Sequence, residues 1–132
     1  MIVVDSSVWI DFYNGRETPQ TLVLKSLLGE KPVLVGDLIL CELLLGARND
    51  GHARAIEEDL RKFEIVPMLG DSIAVVAAKY YRQMRDKGAT VRKTIDLIIG
   101  TFCIVNDHTL LHADRDFEVM KKHVGLKTVP AG

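Results

Sequence analysis

Cysteine is nearly absent. Cys41 and Cys103 are the only two in 132 residues, and they lack Cys-x-x-Cys spacing. That excludes a disulfide-stapled scaffold and speaks against a zinc or dithiol redox motif. Both thiols sit inside apolar helical runs and are expected to be buried and free, in a reducing compartment. Charge of one sign is lacking too: 17 Lys and Arg meet 18 Asp and Glu, for a net charge of -1. No global basic field therefore advertises nucleic acid, and any such partner has to be positioned by a local basic rim. No apolar run reaches the ~18 residues that a membrane span needs, because Asp37 and Glu42 interrupt the longest one. No basic segment precedes an apolar stretch at the N-terminus, so no signal peptide is expected and the expected location is cytoplasmic. Internal repeats, low-complexity tracts and linkers are missing as well, which leaves a single domain over 1–132.

What is present suits a globular domain. The chain is 48% hydrophobic and 27% charged, a balance that reads as soluble and folded rather than disordered. Short β-branched runs alternate with helical patterns. Strands are expected at 1–4, 32–35, 64–66, 109–112 and 126–129. Helices are expected at 6–13, 19–28, 38–45, 49–63, 71–87 and 94–105, and from Asp114 or Asp116 to 123. Ser6 or Ser7, Asp37, Asp71 and Thr94 are the expected caps, and Pro19 suits a first helical position. Strands separated by helices or helix pairs predict a three-layer α/β/α sandwich with a mainly parallel central sheet.

Four carboxylates stand where a core would ordinarily place apolar side chains. Asp5 follows Ile2-Val3-Val4, and Glu42 is embedded in Leu38-Ile39-Leu40-Cys41-Glu42-Leu43-Leu44-Leu45. Asp96 lies in Ile95-Asp96-Leu97-Ile98-Ile99, and Asp114 comes just past Thr109-Leu110-Leu111-His112. An ionised carboxylate buried without a partner costs several kcal/mol or more. Singly, each has a bland explanation: Asp5 and Asp114 as helix caps, Asp96 as a first-turn acid favoured by the helix dipole. Together they point to one acidic site at the carboxyl ends of the strands, where open parallel sheets bind ligands. Oxygen ligands without a His or Cys cluster select hard cations, Mg²⁺ or Mn²⁺. Several carboxylates around one or two such ions suit metal-assisted hydrolysis of a phosphodiester.

Taken in order, these residues resemble the PIN-domain ribonucleases, specifically the VapC-type toxins of toxin–antitoxin pairs. The resemblance rests on Ile2 to Ile10 (IVVDSSVWI), Cys41 to Gly46 (CELLLG), Thr94 to Ile99 (TIDLII) and His112 to Phe117 (HADRDF). It implies that Asp5, Glu42, Asp96 and Asp114 hold Mg²⁺ or Mn²⁺, and that Ser6, or else Ser7, supports the site. Asp116 competes with Asp114 for the fourth position. It further implies an RNA endonuclease, a homodimer and a cognate VapB-type antitoxin. The residues themselves do not distinguish RNA from DNA, because the contacts that read a 2′-hydroxyl are not legible here.

Arg92, Lys93 and Arg115 are close in sequence to Asp96 and Asp114, and are candidates for positioning phosphates of the RNA. Arg82, Arg85 and Lys87 form a basic helix end that the dipole favours. Trp9, Phe12 and Tyr13 are expected in the core or a dimer surface rather than stacked on bases. His52, His108, His112 and His123 do not converge by spacing. The alternative to an enzyme is a non-catalytic acidic module that recruits a basic partner peptide. A phosphoryl-transfer receiver domain fits poorly, for want of a convincing phosphoacceptor aspartate and late lysine.

Overall fold

The structure, a computed structural model, describes residues 1–131. Five strands form one sheet in the order β3-β2-β1-β4-β5, and every neighbouring pair is parallel. They are β1 (Ile2–Val4), β2 (Val33–Gly36), β3 (Glu64–Val66), β4 (Thr109–Leu111) and β5 (Lys127–Thr128). The sheet is thus entirely parallel among the described residues. Its central strands are buried on both faces: Val3, Val4, Val35, Leu110 and Leu111 have no solvent exposure. Continuous apolar strands of this kind are what a parallel sheet with two covered faces requires.

Seven helices cover it: α1 (Ser6–Tyr13), α2 (Pro19–Leu27), α3 (Asp37–Leu45), α4 (Asp50–Leu60), α5 (Asp71–Asp86), α6 (Thr94–Val105) and α7 (Arg115–Val124). The strand order steps one way from β1 to β3 and the other way from β4 to β5. Right-handed crossovers then put α1 to α4 on one face and α5 to α7 on the other. The contacts agree: α1 packs with α2 and α3, and α3 with α4, while α5, α6 and α7 pack among themselves. Trp9 anchors the first layer. It is almost fully buried and meets the rings of Phe12, Tyr13 and Phe63 at centroid distances of 6.1, 5.9 and 5.8 Å. Burying a large apolar side chain contributes roughly 1.5–3 kcal/mol, so these aromatics hold the core together.

Four sequence-based expectations change. Cys41 is exposed and only Cys103 is buried. Apart from Glu42 the run over 38–45 is apolar, but only Ile39 and Leu43, one turn apart, are fully buried, and Cys41 falls between them on the outer face. Asp37, Asp71 and Thr94 are first residues of their helices rather than caps; the capping positions are Gly36, Gly70 and Lys93. Asp37 is otherwise engaged, its Oδ1 accepting from the Met68 backbone N–H at 3.0 Å. Asp5, not Ser6 or Ser7, occupies the cap of α1, and α4 stops at Leu60 rather than at Phe63.

Two glycines permit close approach. At Gly36, which ends β2, a Cβ would collide with the buried Met68 side chain. At Gly100, in α6, it would collide with the Met120 side chain of α7.

Candidate metal centre

The sheet order reverses direction between β1 and β4, which makes that junction the crevice of the fold. Asp5 immediately follows β1, and its backbone N–H donates to the Leu111 carbonyl at the end of β4 at 2.9 Å. Asp114 follows β4 by three residues and caps α7, its Oδ1 accepting from the Asp116 N–H at 2.9 Å. Two turns leading out of adjacent strands therefore meet. Ser7 ties them together: its hydroxyl donates to Asp5 Oδ2 at 2.6 Å and accepts from the Ala113 backbone N–H at 3.2 Å. The Ser7 backbone N–H also donates to Asp5 Oδ2, at 3.1 Å.

Glu42 comes from the middle of α3 and is half-buried; the buried Ser6 hydroxyl donates to its Oε1 at 3.0 Å. Asp96 lies in the first turn of α6 and is buried. A ligand oxygen of Asp96 lies within 4.8 Å of those of Asp114 and Asp116. The three acids close enough to share one ion are thus Asp96, Asp114 and Asp116, while Asp5 and Glu42, from other elements, are near enough to act on Asp96 by their charge.

The acids act on one another. Burial is the largest influence on Asp5, Glu42 and Asp96 and pushes all three carboxyls above their ordinary range. Asp96 reaches about 7, raised first by burial and then by the charges of Asp5, Asp114 and Glu42, with Lys93 opposing. Glu42 is raised by burial and by Asp5, while Ser6 and Lys93 pull it back. Asp5 is raised by burial, held down by its bonds to Ser7, and raised again by Asp114. Asp114 contributes to all three shifts and Asp116 to none. A pocket with this much unneutralised negative charge is suited to cations.

Two oxygens test that fit directly. Asp5 Oδ1 and Asp96 Oδ2 are buried and have no hydrogen-bond partner. Buried acceptors in native proteins are nearly always satisfied, and here they belong to two acids of the same cluster. Hard oxygen donors without nitrogen or sulfur suit Mg²⁺ or Mn²⁺. Asp116 differs from the others. It is buried, but its Oδ2 accepts from the Arg92 backbone N–H at 3.1 Å and its Oδ1 meets Arg92 Nε at 3.4 Å.

Two basic candidates meet the acids and one does not: Lys93 Nζ lies 3.6 Å from Asp114 Oδ2, Arg92 is clasped by Asp116, and Arg115 opens α7 exposed to solvent. His112 was set aside on spacing, yet it shapes the site. Its Nδ1 accepts from the Asp114 N–H at 3.1 Å, which leaves the ring proton on Nε2, 3.1 Å from Glu118 Oε1. The resemblance offers Ser6, or else Ser7, as the supporting hydroxyl, and both are engaged, Ser6 with Glu42 and Ser7 with Asp5. His112 is the contributor that spacing does not single out, its one signal being its place two residues before Asp114. His52, His108 and His123 are not among the acidic cluster's partners.

A family model described as the PIN domain matches residues 2–123. A VapC ribonuclease of Mycobacterium bovis is 28% identical over 132 residues, covering 96% of each chain. Ribonuclease VapC11 of Mycobacterium tuberculosis shows the same identity and coverage. Among solved structures, VapBC2 from Rickettsia felis, bound to a DNA fragment from its promoter, superposes with a TM-score of 0.77 at 16% identity, covering 98% of both chains. Mycobacterium tuberculosis VapC20, a toxin that cleaves the sarcin-ricin loop, superposes with a TM-score of 0.67 at 18% identity, covering 96% of this chain and 98% of the other. At these identities the structures establish the shared fold. Among the described residues, no helix is long and apolar enough to cross a membrane.

Proposed function

The chain belongs to the PIN-domain family, and on that premise we propose that it is a metal-dependent endoribonuclease. It is the toxin of a toxin–antitoxin pair and inhibits translation by cutting RNA in the cytoplasm. The observation that carries this reading is the pair of buried, partnerless carboxylate oxygens, Asp5 Oδ1 and Asp96 Oδ2, within one four-acid cluster. Support for RNA as substrate comes from relatives named as VapC ribonucleases. Support for an antitoxin comes from a fold neighbour solved as a VapBC pair. The partners of the reading are accordingly a VapB-type antitoxin and a second copy of the chain.

Asp5, Glu42, Asp96 and Asp114 are the residues that would hold Mg²⁺, or Mn²⁺ in its place. When bound, the cation supplies Lewis-acid polarisation of the scissile phosphodiester. The chain's own residues do the rest. Ser7 fixes Asp5 and spans to the β4–α7 turn, and Ser6 fixes Glu42. Such outer partners orient ligand oxygens and tune their basicity. His112 holds the Asp114 backbone. Asp96, raised to about 7 by burial and its acidic neighbours in the metal-free protein, would be held ionised once the cation binds. Lys93, beside Asp114, places a positive charge where a phosphate oxygen approaches the acids.

The test is cleavage of a mixed RNA pool by wild type and Asp96→Asn, each with Mg²⁺ and with EDTA. Cutting that requires both Mg²⁺ and Asp96 is the expected result. Equal background in all four lanes overturns the nuclease reading in favour of an acidic module that binds a basic peptide.

A further inference from the structure

Beside the acidic site lies a groove of about 610 Å³, between α7 and the segment from Ala89 to Arg92. Arg115, Glu118, Val119, Lys122 and His123 form its α7 wall. They recur at helical spacing and so share one face. Asp116 lines the groove and also lies against Asp96 and Asp114, so the groove opens directly from the acids.

Its charge is the reverse of theirs. Of its two acids, Asp116 pairs with Arg92, and Glu118 accepts a hydrogen bond from the neutral His112 ring, so Arg92, Arg115 and Lys122 outnumber the carboxylates by one. Arg115 and Lys122 take no ion pair among the described residues, and both are exposed. Lys122 in the last turn of a helix has an ordinary explanation, because the dipole favours a cation there. Arg115 does not: it is the first residue of α7, where the dipole disfavours positive charge. Arg92 is held through its Nε and main chain, which leaves its terminal guanidinium nitrogens at the groove. Seven residues of helix separate Arg115 from Lys122, or about 10 Å of rise, so they would meet different phosphates of one strand.

We propose that this groove binds the sugar–phosphate backbone of a single RNA strand flanking the scissile bond, with Arg115, Lys122 and Arg92 as its phosphate contacts. The inference rests on the ribonuclease reading and extends it: the strand leaves the acids past Asp116 and runs along α7. No Phe, Tyr or Trp lines the groove among the described residues. Its charged groups suit phosphates, and such contacts position a strand without reading its sequence. The net charge of -1 leaves such a local patch to supply the attraction.

The experiment measures binding of a short, labelled, unstructured RNA to Asp96→Asn protein across a KCl series at fixed Mg²⁺. It is repeated with Lys122→Ala, Arg115→Ala or Lys25→Ala added. Lys25 is an exposed cation of α2 that does not line the groove. Lys122→Ala and Arg115→Ala are each expected to weaken binding several-fold for every RNA sequence tried. Each should reduce the slope of log K against log[KCl] by about 0.7, the release expected for one phosphate contact on a single strand. Lys25→Ala should leave the slope unchanged. A slope unaltered by Lys122→Ala and Arg115→Ala, or altered equally by Lys25→Ala, overturns the groove. Absence of Mg²⁺-dependent cleavage by wild type, with the expected slopes intact, overturns the nuclease reading and supports the groove as an RNA-binding surface.

Discussion

Asp116 spends both of its carboxylate oxygens on one residue, Arg92, accepting from its backbone N–H at 3.1 Å and meeting its Nε at 3.4 Å. The neighbouring Asp114 instead raises the carboxyls of Asp5, Glu42 and Asp96. Two acids two positions apart, both within 4.8 Å of Asp96, thus differ in their partners: Asp116 clasps the segment that enters α6, and Asp114 is the one proposed to hold the cation. Asp114→Asn should weaken Mn²⁺ binding at least tenfold in a calorimetric titration. Asp116→Asn should retain most of that binding and lose about 1–2 kcal/mol of stability in a denaturant melt. The reverse pattern would assign the fourth ligand to Asp116.

Ser7 bridges the turns after β1 and β4 through a single hydroxyl. Ser7→Ala should therefore lower metal affinity about 10–100-fold, the usual range for loss of an outer partner. Ser6→Ala removes only the donor to Glu42 and should cost less. Both proteins should keep wild-type circular dichroism, and equal affinities for the two would remove Ser7 from its bridging role.

Cation binding requires ionised carboxylates, and Asp96 titrates at about 7. Cleavage at subsaturating Mg²⁺ should rise with pH through that value and level off above it. Raising Mg²⁺ should move the midpoint down, because the cation competes with the proton. A rate flat from pH 6 to pH 8 at limiting metal would contradict the coupling.

The same group predicts the stability of the metal-free protein. A carboxyl raised on folding makes the native state bind more protons than the unfolded one, so stability is full below the unfolded value and is lost as pH rises through the folded value. In EDTA, wild type should lose stability as pH climbs from about 4, the unfolded carboxyl value, towards 7. Asp96→Asn, which removes the buried charge, should be more stable than wild type in EDTA at pH 8, by on the order of 2 kcal/mol. Mg²⁺ should stabilise wild type by mass action and leave Asp96→Asn nearly unmoved. Thermal melts of the two proteins with and without Mg²⁺ check all three statements.

Much of this was legible in advance, for reasons that can be named. β-branched runs such as Ile2-Val3-Val4 have few alternatives to a buried strand, and Asn14-Gly15, Gly29 and Gly88 punctuate the helices plainly. The four acids were visible because each interrupts or follows apolar sequence. What stayed hidden depends on neighbours distant in the chain. The outward turn of Cys41 follows from α3 fully burying only Ile39 and Leu43, in a run where Glu42 is the single polar residue and the apolar ones do not mark one face. Asp37 misses the cap because the Met68 N–H reaches its side chain from 31 residues away. Nothing near Asp116 in sequence reveals Arg92, 24 residues earlier, as the partner that separates it from Asp114. The groove went unseen because Lys122 reads as an ordinary dipole-favoured helix end.

The central strand β1 has its neighbours at opposite ends of the chain's history: β2 begins at Val33, but β4 begins only at Thr109. During synthesis the first acid, Asp5, leaves the ribosome early and then waits for Asp114 to emerge before its crevice has a second wall. Non-local pairing of this kind also slows folding. A chain that stops short of residue 114 would have Asp5, Glu42 and Asp96 but neither β4 nor Asp114, so the proposed site would lack both its second wall and its fourth acid.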